Sequence, residues 1–131
     1  MSINKEIPII YDLSSIPVLD QTASLKKCLD SMTKLGKGIS VLVDDNNKVQ
    51  GVLTDGDLRR LLLSHQSPLP SLLISDGLDF GTKSPIVFEE NSSLKEILDS
   101  FRNKHVSQVL IVDKDKKLIG YINGYDLITS E

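Results

Sequence analysis

The decapeptide Gly51–Arg60, GVLTDGDLRR, has a near copy at Gly120–Thr129, GYINGYDLIT. In each, an apolar, strand-forming run follows a glycine and ends in a polar residue, Thr54 or Asn123. An aspartate and a leucine come three and four positions later, Asp57-Leu58 and Asp126-Leu127. In the first copy Asp55 and Asp57 stand beside Arg59 and Arg60. Two carboxylates next to two guanidiniums suit a metal site, a catalytic acid pair, or a cradle for a bound anion.

The two stretches end a longer repeat. With an offset of 69 positions, Ser24–Leu58 lies over Ser93–Leu127 without a gap, and 12 of the 35 pairs are identical. Among them are Leu25/Leu94, Asp30/Asp99, Val43/Val112, Asp44/Asp113, Gly51/Gly120, Asp57/Asp126 and Leu58/Leu127. Internal repetition at this spacing means two copies of one supersecondary unit. Each copy opens with an extended piece, SIPVL or SPIVF, where proline disfavours helix. A helix follows, with its apolar stripe at Leu25, Cys28, Leu29 and Met32, mirrored by Leu94, Ile97, Leu98 and Phe101. These are the i, i+3, i+4, i+7 positions of one helical face. Thr22 and Asn91 precede the helices and are suitable N-caps; Ser93-x-x-Glu96 is suited to a capping box instead. An apolar strand, a polar turn (DNNK or KDKK) and a second strand come next. The final helices are expected to start near Asp55 and Gly124. The fold class is α/β (α+β), two β-α-β-β-α units. Because a unit of this size is marginal alone, the two are expected to share one core. The repeats divide the chain into 1–66, with an N-terminal lead-in, and 67–131, a linker plus the second repeat. The segment from about Ser64 to Ser84, with Pro68, Pro70, Gly77 and Gly81, reads as that linker, with one helical turn at SLLIS.

Bulk properties bound the function. The 131 residues are 40% hydrophobic and 25% charged, with a net charge of −3. That is an ordinary globular composition. The charge speaks against nucleic acid or an anionic membrane as partner. A single cysteine, Cys28, allows no internal disulfide and fits a reducing compartment. The first ten residues, MSINKEIPII, do not read as a signal peptide, and no apolar run is long enough to span a bilayer. A cytoplasmic location is expected.

The Thr-x-x-Asp spacing has its own chemistry. Thr54 ends a strand, and the helix after it begins with backbone N–H groups that lack helical acceptors and favour an anion. Gly56 lets a ligand approach the backbone. A hydroxyl with free amides holds phosphate, and a carboxylate three residues on accepts hydrogen bonds from a sugar diol. The plain alternative is capping: Thr or Asp as N-cap, Gly at a turn, arginines in solvent.

The duplicated β-α-β-β-α unit and GVLTDGDL resemble a tandem pair of cystathionine-β-synthase (CBS) domains, a Bateman module. The signature is Gly, an apolar strand, Thr or Ser, two residues, Asp and an apolar residue. The first repeat carries it in full; the second has Asn123 where Thr54 stands, and Asn is a poorer phosphate holder. The resemblance implies two pseudo-two-fold-related repeats that bind adenine nucleotides or related ligands in the cleft between them. It also implies regulation of a linked enzyme and pairing as flat homodimers. Carried over, the first pocket uses Thr54 and Asp57 for phosphate and ribose. Val52, Ile86 and Val106 wall the base, and Ser84, Ser107 and Gln108 add polar contacts. The second uses Asn123 and Asp126, with Tyr121, Lys37 and Gly38.

A narrower resemblance is to the regulatory C-terminal region of bacterial arabinose-5-phosphate isomerases, which begin Kdo biosynthesis. It rests on LGKGISVLVDDNNKVQGVLTDGDLRRLL and on YDLIT. Some sugar-phosphate nucleotidyltransferases carry a similar module. Neither catalytic domain lies within these residues, so the resemblance implies a regulatory part of a sugar-isomerase protein or a free-standing module. It implies AMP, ATP or a nucleotide-sugar such as CMP-Kdo as ligand, with no cofactor required. Arg59 and Arg60 would then face a phosphate or sugar carboxylate, or simply solvent.

Other motifs fall away. GLDFGTKS (Gly77–Ser84) has three residues between its glycines, and Thr82 precedes Lys83, so it is not a phosphate loop. DFG at Asp79–Gly81 lacks every other kinase motif. The stretch from Asp113 has Leu118 and Gly124 where a calcium loop needs Gly and Glu. Cys28 falls on the buried stripe, His65 in the linker and His105 at a helix C-terminus; none belongs to a ligand set. Asp55 and Asp57 have no third partner for a magnesium site.

Overall fold

A computed structural model describes residues 7–104 and 107–129. The elements run in two parallel series. The first is β1 (Val18–Asp20), α1 (Leu25–Leu35), β2 (Ile39–Val43), β3 (Val49–Thr54) and α2 (Asp55–Ser64). A short helix α3 (Leu69–Ile74) intervenes. The second series is β4 (Val87–Glu89), α4 (Leu94–Lys104), β5 (Gln108–Val112), β6 (Leu118–Asn123) and α5 (Gly124–Thr129). This is the β-α-β-β-α unit, twice. Each forms a three-stranded sheet, β1-β2-β3 or β4-β5-β6, parallel in its first pair and antiparallel in its second. Register repeats as well: Ile39 faces Thr54 as Gln108 faces Asn123, and Leu42 faces Gly51 as Ile111 faces Gly120.

The identical residues of the two repeats have local jobs. Asp44 and Asp113 each open the hairpin turn. The Oδ1 of Asp44 accepts from the amides of Asn46 and Lys48 at 2.9 and 3.0 Å, and that of Asp113 from Asp115 and Lys117 at 2.8 and 3.0 Å. The turns then place Asn47 (φ 64°) and Lys116 (φ 66°) in the left-handed region. The helix starts correct one expectation. Ser24, not Thr22, caps α1, its hydroxyl accepting from the Lys27 amide at 3.2 Å. Thr22 instead bonds the Asp20 carboxylate, and these bonds hold that acid below the usual carboxylate range. In the second repeat Ser93 accepts from the Glu96 amide at 3.1 Å, displacing Asn91 from that role. The serine wins because it sits one residue before the first helical turn, where its oxygen reaches the N3 amide.

Two compact units result. One is Leu13–Pro85; the other comprises the described parts of Met1–Asp12 and Ile86–Glu131. The first has its own core of Ala23, Leu25, Cys28, Met32, Leu42, Leu53, Leu61 and Leu72. The second has Ile97, Val109, Ile111, Ile122 and Leu127, with Ile7 and Ile9 packed against them. Each unit thus has a hydrophobic cluster of its own.

The unit boundaries also differ from the 66/67 division of the sequence repeats. The lead-in, counted above with the first repeat, is bonded to the second: Ile10 and Tyr121 exchange backbone bonds of 2.8 and 3.0 Å. The linker closes on the first repeat: Val52 and Thr82 exchange bonds of 2.9 and 2.8 Å. Leu72, Leu73, Leu78 and Phe80 pack into the first core, so the linker is a built part of that unit. Gly51 and Gly120 lie under these crossing segments. A Cβ on Gly51 would meet the Thr82 carbonyl oxygen at 2.7 Å, and one on Gly120 the Ile10 carbonyl oxygen at 2.8 Å. The glycine identity of the repeats is thus steric.

Candidate functional site

The motif residues meet where β3 becomes α2. Thr54 is extended (φ −119°, ψ 168°) and caps the helix, its Oγ1 accepting from the Asp57 amide at 3.3 Å. Asp57 Oδ2 in return accepts from the Thr54 amide at 2.9 Å and the Thr54 hydroxyl at 3.0 Å, completing a capping box. The other oxygen, Oδ1, accepts from Arg60 Nη2 at 2.6 Å and from Thr82 Oγ1 at 3.2 Å. Asp57 is 5% exposed, against 63% for the Arg60 side chain. A buried carboxylate persists only when its lone pairs are filled, and the protein fills them from three side chains and one amide.

The neighbouring residues are placed as follows. The Asp55 amide donates to the Gly38 carbonyl at 3.2 Å, and a Cβ on Gly38 would lie 2.6 Å from Asp55 Oδ2, so glycine makes room for that exposed carboxylate. Lys37 is half-buried beyond the α1 C-cap, its amide donating to Met32 at 3.0 Å. Val52 is buried on the outer strand β3, between β2 and the crossing segment. Arg59 and Ser84 are exposed.

In the second unit the backbone bond of this junction recurs. The Gly124 amide donates to the Ser107 carbonyl at 2.9 Å, the counterpart of Asp55 and Gly38. Gln108 Nε2 lies 3.4 Å from Asn123 Oδ1, a side-chain contact that the Ile39–Thr54 pair lacks the chemistry to make. Asn123 and Asp126 are half-buried, as is Ile86, and Ser107 is exposed. Tyr121 is 1% exposed, a core ring. Val106 and His105 lie outside the described residues.

Each junction thus gathers its own strand and helix residues: Gly38 with Thr54, Asp55 and Asp57; Ser107 and Gln108 with Asn123 and Gly124. The sequence reading missed Thr82, which carries no motif and reaches Asp57 only because the crossing segment returns to β3. It also left open the Asp57–Arg60 pair, although the spacing i, i+3 on a helix permits it. Cys28 is fully buried and burial pushes its thiol up, in keeping with a core role. Among the described residues no group of three His, Cys, Asp or Glu side chains is placed to hold a metal ion, and no helix is long and apolar enough to cross a membrane.

Comparison with known proteins agrees with this architecture. A family model described as CBS domain matches residues 8–64 and 77–130. The chain is 31% identical over 120 residues to the arabinose 5-phosphate isomerase KdsD of Escherichia coli (strain K12), a match covering 92% of this chain and 35% of the isomerase. The chain therefore spans about a third of the length of the curated relatives it matches. A solved CBS domain protein from Pyrobaculum aerophilum, complexed with AMP, aligns with a TM-score of 0.72 at 19% identity, covering 86% of this chain and 82% of that one. The CBS domain pair of protein MJ0100, in complex with 5′-methylthioadenosine and S-adenosyl-L-methionine, aligns with a TM-score of 0.75 at 15% identity, covering 92% of both chains. At such identities the likeness is one of fold. With both repeats matched by the family model and both closed by the same strand-to-helix junction, the chain belongs to the CBS-domain family.

Proposed function

We propose that this chain is a non-catalytic regulatory module that binds a nucleotide or nucleotide-sugar through its strand-to-helix junctions. The observation that carries the reading is the Thr54–Asp57 junction, with its carboxylate beside the first turn of a ten-residue helix, and its recurrence at Asn123–Asp126. Adenine nucleotides are the first candidates, because two proteins of this fold were solved with ligands that all carry adenine on a ribose. CMP-Kdo is the second, from the likeness to arabinose 5-phosphate isomerases. In this reading the module acts in the cytoplasm, pairs as a homodimer and regulates a sugar-phosphate isomerase domain. The first repeat, with Thr54, is the stronger site.

Thermal-shift and calorimetric titrations with AMP, ATP and CMP-Kdo test this. A ligand at a hundred times its Kd raises stability by about 2.7 kcal/mol. Asp57→Ala should weaken binding by about 1–3 kcal/mol, and unchanged affinity in a folded variant overturns the assignment. The second reading is a ligand-free dimerisation module. It is favoured by the four hydrogen bonds Asp57 already makes within the chain. It predicts a dimer in sedimentation equilibrium and no response to the panel.

A further inference from the structure

We propose that Arg60 is the specificity-determining residue of the β3–α2 junction, withholding Asp57 from neutral ligands and releasing it to ligands that bring an anion. This rests on the reading of that junction as a ligand site. The two oxygens of Asp57 are not equivalent. Oδ2 is bound by the amide and hydroxyl of Thr54 and belongs to the helix cap. Oδ1 is held by Arg60 at 2.6 Å and Thr82 at 3.2 Å, so it is the oxygen a ligand diol would take, and Arg60 stands on it.

A neutral diol that displaced Arg60 would trade an ion pair, charged on both sides, for bonds in which only the carboxylate is charged, at a group only 5% exposed. An anionic group changes the exchange, because it offers the guanidinium a new partner as Oδ1 is freed. Arg60 is placed for that handover. Its side chain is 63% exposed and folds back over the first turn of α2. A Cβ on Gly56 would lie 3.5 and 3.6 Å from its two Nη atoms and 3.7 Å from Thr54 Oγ1. The guanidinium and the threonine hydroxyl therefore border one spot, above a residue with no side chain to fill it. In the second repeat Thr129 stands at the position matching Arg60, so this selection belongs to the first repeat alone.

The test uses the full chain, with adenosine and AMP as probes, in the parent protein and in Arg60→Gln. The parent should prefer AMP to adenosine by about a hundredfold, or roughly 2.7 kcal/mol. In Arg60→Gln the affinities should move in opposite directions: adenosine tighter by about twofold to fivefold, AMP weaker by about tenfold. Parallel weakening of both, or no change in either, overturns the specificity role and leaves the site reading intact. Absence of binding by both probes to both proteins overturns the two together. A ligand-free measurement checks the pair itself. The Arg60 Nε–H resonance should differ from that of Arg59 and shift in Asp57→Asn; an Arg60 signal that matches Arg59 and does not respond overturns the proposal.

Discussion

At Asp57 the four bonds are of unequal worth. The Arg60 pair is short, but one partner is mostly in water, where ion pairs contribute little net stability. The Thr54 bonds satisfy donors at a buried helix start, and losing a cap of this kind costs about 1–2 kcal/mol. Asp57→Asn keeps the shape but turns one acceptor into a donor facing donors. It should destabilise the ligand-free protein by about 1–3 kcal/mol, whereas Arg60→Gln should cost less than about 1 kcal/mol. Urea titration of both variants checks this. Equal effects would mean that the ion pair, not the cap, is what Asp57 supports. The motif was legible in the sequence because Thr-x-x-Asp before an apolar run has few local meanings, capping and anion binding foremost. The geometry adds that here the capping role is fully in place on Oδ2, so a ligand must compete with Arg60 and Thr82 for Oδ1. Thr82 was not legible, since nothing in a lone threonine on a proline- and glycine-rich segment announces a partner 25 positions away.

Among elements, the strands and helices of both repeats could be read from periodicity and from the 69-residue offset, because a two-residue or 3.6-residue pattern is local. The pairing of the crossing segments could not. Ile10 joins β6 and Thr82 joins β3 through backbone groups at a sheet edge, and backbone groups carry no sequence signature. What did carry one were the matched glycines, whose reason appears only once the crossing segment lies over them. Gly51→Ala and Gly120→Ala should each destabilise the protein by about 1–3 kcal/mol, the cost of forcing a methyl group against packed backbone. The damage should be local. Amide exchange should accelerate at Thr82 in the first variant and at Ile10 in the second. Exchange unchanged at those amides would show that the segments yield without detaching.

On the scale of the whole molecule, the exchange of segments makes one unit an insertion in the other. The 73-residue unit Leu13–Pro85 lies in sequence between the two pieces of its neighbour. Folded, it presents its neighbour with two fixed attachment points; unfolded, it becomes a loop that must be closed. Closing 73 flexible residues costs about 4 kcal/mol, a large fraction of a small unit's stability. The second unit should therefore not outlast the first. Intrinsic probes separate them. All three tyrosines, Tyr11, Tyr121 and Tyr125, lie in the discontinuous unit, there is no tryptophan, and the single cysteine, Cys28, lies in the inserted one. Cys28 is fully buried, so thiol labelling reports opening of its unit. Its thiol pKa is raised by burial, so the stability it contributes is present below the ordinary thiol pKa and is lost as pH rises through the folded value. Labelling is therefore run near neutral pH. In urea, the tyrosine transition should coincide with Cys28 exposure or precede it. A tyrosine midpoint clearly above the labelling midpoint would show that the lead-in residues 7–12 are not needed to hold the second unit together, and deleting them would then leave the transition of Tyr121 and Tyr125 where it was.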